Sequence, residues 1–549
     1  MSDEKKLCDH HGSEMIESYA NFPDNSRLES KPSLVLAFSS FITHHSSIAR
    51  SRIVLVLCLL LAPLASADIQ VTHRVLPNGL TVILYPSKQA PTVACRLFYV
   101  TGSVHERPGN TGIAHLLEHM LFKGTRKTGT RDSVADARID AQLATVMDTL
   151  DALQQALPRD VHRIARLRAR HDSLMDQQRK LMIPYELWEA YEKAGGTGLN
   201  AFTSDLMTAY IVTLPRERLE LFLWLEADRM QNAVLREFYP ERDVVGEERR
   251  MRVEDRPTGR YWESLTGVFY EAHPYRLPTI GYPSDIRHLT RRQAEEHYRK
   301  YYKPNNAILV LAGDLDTTAA LRDVERYFGS IPRGEDFPPV VTAEPTPAGE
   351  KRLTVRRADA APRLDLMFHT PGFPHDDLYA LDVLEGVLSG KSGRLHKKLV
   401  TELKLATSAS AGNGVDRYTS SFHVAVGLDG KPEIAKVEAA VWEVLEELTR
   451  TPVTERELQR ARNQVAARTV RSMENMEELA TELAYWEMRA AARGPGGWAY
   501  VNWFPEGVQA VTAAQVQAAA ANYFKREAVT VGVIVPPVDA AAGTKGAGK

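Results

Sequence analysis

His115-Leu116-Leu117-Glu118-His119 constrains this chain more than any other stretch, because its chemistry works only on a helical backbone. On a helix, residues i, i+3 and i+4 point the same way, so the two imidazoles and the carboxylate share a face. Two neutral histidines so placed can grip a zinc ion, and a carboxylate between them can activate water. A catalytic zinc takes three protein ligands and keeps one position open, so the pattern needs a further donor. The stretch Tyr239-Pro240-Glu241-Arg242-Asp243-Val244-Val245-Gly246-Glu247-Glu248 offers one. Glu241 and Glu248 lie two helical turns apart and therefore on one face. Taken alone, two glutamates on a charged helix are ordinary solvated surface. Beside the histidine pattern they become candidates.

The order H-x-x-E-H inverts the commoner H-E-x-x-H. Followed by Glu241-Arg242, Val244-Val245 and Glu247-Glu248, it resembles the pitrilysin/insulinase family of zinc peptidases, the inverzincins. That family includes the mitochondrial processing peptidases and many bacterial homologues. The resemblance covers nearly all of the chain after Asp68. Val75-Leu76-Pro77-Asn78-Gly79-Leu80-Thr81-Val82 is similar to the family's opening strand and turn. Gly102-Ser103 through Gly112-Ile113-Ala114 resembles the approach to its metal helix, and Ala227-Asp228-Arg229-Met230 and His273-Pro274-Tyr275 match as well.

The resemblance implies one Zn2+ per chain, held by His115, His119 and Glu248. It implies two catalytic carboxylates: Glu118 as general base, and Glu241 supporting the ligand set from behind. It also implies that Asn200-Ala201-Phe202-Thr203 forms a substrate-binding edge strand, which would pair with extended peptides through the backbone. The implied function is a zinc-dependent endopeptidase acting on peptides or unfolded polypeptide segments. The alternatives are a non-catalytic structural subunit and a peptide-binding module of the same fold. Respiratory-complex core proteins of this fold lose parts of the metal motif, whereas this chain keeps all of it.

The expected fold class is α+β: two homologous α/β units, each a sheet covered by helices, joined by a linker. Thr81–Leu84 and Cys95–Val100 read as strands before the helix bearing His115. After a Pro-rich linker over 336–350, Arg352–Val355 and Arg363–Phe368 read as strands before a helix near Leu378–Leu388. The zinc-bearing unit is expected over 68–335 and its partner over 351–539. Setting Gly112–Leu121 against Tyr379–Leu388 places His115 opposite Asp382, Glu118 opposite Glu385 and His119 opposite Gly386. The second unit keeps the helix and lacks the metal pattern. Thr454-Glu455-Arg456-Glu457 is a capping box opening a long helix, and Ala528–Val535 echoes Ala307–Ala312.

An insertion over about 131–194 separates the histidines from Glu248. Ile139, Leu143, Val146, Leu150, Leu153 and Leu157 form a coiled-coil seam. Pro158 breaks it, and Ile164, Leu167, Leu174 and Leu181 continue it in a second helix, predicting an antiparallel hairpin. His171 on that seam is read as a helix histidine, not a ligand. Gly195-Gly196-Thr197-Gly198 lacks the Lys and helix of a phosphate loop and is read as a turn.

Active family members carry, in the second unit, an Arg and a Tyr seven residues later that orient substrate. Val400 and Thr407 stand at those positions here. The family's division of labour then implies a homologous partner subunit that supplies the Arg/Tyr pair. A net charge of −2 and the lack of a basic stripe argue against a nucleic-acid partner. Of three cysteines, Cys8 and Cys58 fall in a leader over 1–67, leaving Cys95 as a small buried hydrophobe. Arg50 and Arg52 before the apolar run Ile53–Leu61, with Ala65-Ser66-Ala67 after it, read either as a signal peptide cleaved near Ala67, from a start downstream of Met1, or as a short internal anchor; the first is favoured, with export to the periplasm. The tail over 540–549 is expected to be disordered.

Overall fold

Two mixed sheets carry the chain, and their strand orders correspond almost one for one. The computed structural model describes residues 68–156, 160–336, 339–490 and 496–537. The expected leader with its export signal, Leu157, Pro158 and the expected disordered tail lie outside the described residues.

The first sheet holds β1 (Thr72–Val75), β2 (Thr81–Pro86), β3 (Thr92–Tyr99), β4 (Thr197–Thr203), β5 (Thr208–Pro215) and β6 (Ala307–Gly313), in the order β1-β2-β6-β3-β5-β4. The second holds β7 (Lys351–Arg356), β8 (Arg363–Pro371), β9 (Ser408–Asn413), β10 (Thr419–Gly427) and β11 (Val529–Val535), in the order β7-β11-β8-β10-β9. Setting β1 aside, each sheet has a parallel pair, β2 with β6 and β7 with β11, and antiparallel pairs elsewhere. A parallel pair needs a long crossover, and in each sheet most of that half of the chain forms it. The two α/β units are homologous.

β3 and β6 are buried along nearly their whole length. Their continuous apolar runs fit strands covered on both faces. One cover is the helix Met476–Ala490 from the second half, so the halves share a core. Arg96 in β3 is the buried exception: its guanidinium donates to Thr481 Oγ1 at 3.2 Å and to the Glu477 carbonyl at 3.3 Å on that helix. Cys95, beside it, is buried with its thiol pushed up by desolvation, consistent with a small hydrophobe.

The insertion forms the expected helical hairpin, Ser133–Gln155 and Val161–Leu181. Leu143, Leu150, Ile164 and Leu174 of the seam are buried. The Arg131 N–H donates to the Leu181 carbonyl at 2.8 Å and closes the base. One expectation needs correction. Gly195 and Gly196 do turn the chain, but Thr197 and Gly198 already belong to β4. The register shifts between Thr197 and Asn200, and Gly198 sits at φ +60. A β-bulge absorbs the glycine that the sequence pattern read as loop.

Two histidines near the Thr101–Glu106 loop, His297 buried and His105 half-buried, predict acid sensitivity. Burial pushes His297 down to about 3 and His105 down to about 4. The His297 ring lies 3.1 Å from the Thr101 hydroxyl. Between pH 6.5 and these values the unfolded chain binds more protons than the folded one. The stabilisation is therefore complete above pH 6.5 and is lost as pH falls through the folded values. Each group can contribute a slope of up to about 1.4 kcal/mol per pH unit. Urea midpoints measured from pH 7 to pH 4 should fall in the native chain and fall less steeply in His297→Asn; identical slopes would reject the assignment.

Candidate metal centre

The helix Ile113–Met120 follows β3 and presents His115, Glu118 and His119 on one face. Glu106 holds its start: one carboxylate oxygen accepts the Gly112 N–H at 2.7 Å, the other the Ala114 N–H at 2.9 Å. These are orphan donors of a helix N-terminus. Burial pushes the Glu106 carboxyl up to about 8, against the two N–H groups that favour its charged form. Gly112 enters the helix at φ +88, and an added Cβ would lie 2.6 Å from the Ile280 carbonyl oxygen. Gly112→Ala should therefore cost more than the ~1–2 kcal/mol of left-handed strain alone. It should also loosen the histidines, read as a lower thermal midpoint together with weaker zinc retention; a native-like midpoint would contradict this.

The helix Phe238–Arg249 brings Glu241 and Glu248 to the same face. His119 lies between them. Its Nδ1 is 2.9 Å from Glu241 Oε1, and its Nε2 is 3.2 Å from Glu248 Oε2. His115 Nε2 is 3.7 Å from Glu248 Oε1. One potential ligand atom each from His115, His119 and Glu248 falls within 4.8 Å of the others. This is the one three-residue cluster of metal-ligating side chains among the described residues. Glu241 is not in it; its carboxylate stands behind His119.

The donor set suits a zinc ion. Two imidazoles and one carboxylate are a known catalytic combination that leaves a position open. The partner of Nδ1 fixes which nitrogen of His119 faces the cluster. Burial lowers the His115 imidazole to about 4, so it is a neutral donor at neutral pH. Burial alone would also lower His119, but its hydrogen bonds to Glu241 and Glu248 raise it to about 10 in the metal-free chain. The same contacts hold both carboxylates near 2 despite desolvation. A zinc ion held by His119 Nε2 would displace the proton there, since an imidazole ligates only in its neutral form.

Glu118 is buried, and its Oε2 accepts a hydrogen bond from Thr203 Oγ1 at 2.5 Å. Burial raises its carboxyl to about 7, opposed by His119 and Thr203. Asn200, Ala201, Phe202 and Thr203 lie in β4, at the edge of the first sheet, with only β5 paired to them. Sequence reasoning put Thr203 on that strand but not in contact with Glu118. It also missed Arg252, which pairs with Glu248 at 2.8 Å, and Lys123, which pairs with Glu241 at 2.6 Å. Arg252 follows Glu248 by four residues, a helical spacing that could have shown it.

In the second unit the corresponding helix Asp377–Leu388 has a different interior. Glu385 pairs with Arg468 at 2.6 Å and accepts the Asn413 N–H of β9 at 3.2 Å. Asp382 accepts from the Asn413 side chain at 3.2 Å. A Cβ on Gly386 would meet Ala461 at 3.0 Å, so a histidine there would displace the helix Glu455–Glu474. Val400 packs against the core, and the Thr407 N–H pairs with the Gly427 carbonyl at 2.9 Å.

Residues 81–137, which include the histidine helix, match the family model described as Insulinase (Peptidase family M16). Residues 288–465 match the one described as Peptidase M16 inactive domain. The zinc protease PqqE of Helicobacter pylori is 27% identical over 417 residues, covering 74% of this chain and 80% of that protein. The zinc protease YmxG of Bacillus subtilis is 25% identical over 406 residues, covering 72% and 83%. Among solved structures, a protease from Helicobacter pylori superposes with a TM-score of 0.70 at 24% identity, over 85% of this chain and 100% of that one. A peptidase M16 inactive domain from Pseudomonas fluorescens gives 0.66 at 16% identity, over 85% and 98%.

Proposed function

Because the chain belongs to the pitrilysin/insulinase family of peptidases, we propose that it is a zinc-dependent endopeptidase acting on peptides or unfolded polypeptide segments. The observation that carries the reading is the convergence of His115, His119 and Glu248 beside a buried Glu118 tied to an edge strand. The zinc-bearing half spans 68–335 and the non-metal half 351–539. When bound, zinc would polarise the scissile carbonyl and lower the pKa of water in contact with it to about 7. Glu118 takes the proton of the attacking water at its carboxylate and delivers it to the leaving amine. The C–N bond breaks, the acyl carbon gains the hydroxyl and the nitrogen gains the proton. Glu241, through His119 Nδ1, positions rather than reacts.

An extended substrate segment would add to the open edge of β4 and accept its main-chain hydrogen bonds there. Thr203 is the last residue of that strand, so the same strand aligns the peptide and orients the base. A free edge reads backbone more than side chain, which favours unfolded segments over folded proteins. The chain acts as the metal-bearing subunit of a heterodimer, with a homologous partner supplying the Arg and Tyr that Val400 and Thr407 cannot replace. It is exported, with cleavage near Ala67; no helix among the described residues is long and apolar enough to cross a membrane.

Purified chain should contain one zinc per molecule and hydrolyse an unfolded polypeptide, weakly alone and strongly with the partner subunit. Chelation should abolish the activity. Zinc-free preparations that still hold the native fold would favour the structural-subunit alternative, and full activity of the isolated chain would reject the heterodimer.

A further inference from the structure

The helical hairpin reaches the metal centre through a line of charged side chains. Glu241, behind His119, pairs through its second oxygen with Lys123 Nζ at 2.6 Å. Lys123 lies 3.9 Å from Glu237 Oε2, and Glu237 Oε1 accepts from Arg179 Nε at 2.9 Å. Arg179 belongs to the second hairpin helix. Glu237, the residue just before the carboxylate helix, sits at φ +56. A side-chain-bearing residue keeps a left-handed conformation only where its surroundings over-determine it. Here its carboxylate is spoken for on both sides.

Further contacts join the hairpin to the same segment. Tyr239 Oη donates to Asp151 Oδ1 at 2.8 Å. Arg236, fully buried, pairs with Asp136 at 2.6 Å and also donates to the Lys123 and Thr125 carbonyls at 3.0 and 2.7 Å. Gln178 of the second hairpin helix donates to the same Asp136 at 3.1 Å. The hairpin, the turn after the histidine helix and the start of the carboxylate helix thus meet at one buried arginine.

We propose that the hairpin is a brace for the metal centre, with Lys123 and Glu237 as positioning residues that fix Glu241 and, through it, His119. The proposal rests on the zinc reading above. Lys123 holds one Glu241 oxygen so that the other stays on His119 Nδ1. Glu237 holds Lys123, and Arg179 anchors Glu237 to the hairpin. Contacts behind a metal ligand typically change affinity by about 10- to 100-fold when removed.

The test compares zinc affinity, by chelator competition, in the full chain and in Lys123→Met, Lys123→Arg, Glu237→Gln and Arg179→Gln. The visible spectrum of the cobalt(II)-substituted chain gives a second readout of ligand geometry, and melting of the metal-free chain controls for folding. Lys123→Met should weaken zinc binding by roughly tenfold and alter the cobalt bands, with Lys123→Arg restoring most of both. Glu237→Gln and Arg179→Gln should give smaller losses in the same direction. Arg179 is half-exposed, so its variant folds even if Lys123→Met does not. Native affinity and spectrum in Lys123→Met, or in both Glu237→Gln and Arg179→Gln, overturns the brace while leaving the zinc reading intact. A native chain that binds no zinc overturns that reading first, and the brace with it.

Discussion

Glu118→Gln is expected to leave zinc bound and to reduce peptide hydrolysis by roughly 10²–10⁴-fold, the usual contribution of a positioned acid–base group. The amide is nearly isosteric, and its oxygen can still accept the Thr203 hydroxyl now donated to Glu118 Oε2. It cannot take a proton. None of the three clustered ligand atoms belongs to Glu118, so metal content should stay at one per chain. Kinetic assays with zinc analysis on the same samples separate the two effects. Turnover within a few-fold of the native chain, with zinc in place, would remove Glu118 from the chemistry and leave another group to move the proton.

His115→Ala or Glu248→Ala should abolish zinc retention, with affinity falling by well over about 100-fold, because each removes a donor itself rather than a supporting contact. Saturating zinc should stabilise the native chain by about 4 kcal/mol at a thousandfold excess over its dissociation constant. Neither variant should show that gain. Thermal midpoints with and without zinc measure it directly. The metal-free melting of Glu248→Ala should also drop, since Glu248 now pairs with His119 and Arg252. A zinc-dependent rise in either variant equal to that of the native chain would mean that the ion sits elsewhere.

Much of the site is local in the chain and could be read there. The shared face of His115, Glu118 and His119 follows from helical spacing alone, as does that of Glu241 and Glu248. The hairpin seam and the Thr454 capping box are equally local, and both stand in the structure. Lys123 was not legible in this way. It follows His119 by four residues, but the helix ends at Met120, so periodicity does not carry to it.

Residue order alone thus determined which faces exist: two histidines and a carboxylate on one helix, two glutamates on another, and a second half without the metal pattern. Only the tertiary structure decided which faces meet. It set Glu248 among the histidines and Glu241 behind them, laid Thr203 on Glu118, paired Arg468 with Glu385, and joined the hairpin to the carboxylate helix. The reason is physical. Backbone periods of 3.6 and 2 write side-chain direction into a few consecutive residues, whereas contacts across a long insertion depend on how sheets and helices pack. That packing is a property of the whole core, which no short stretch contains.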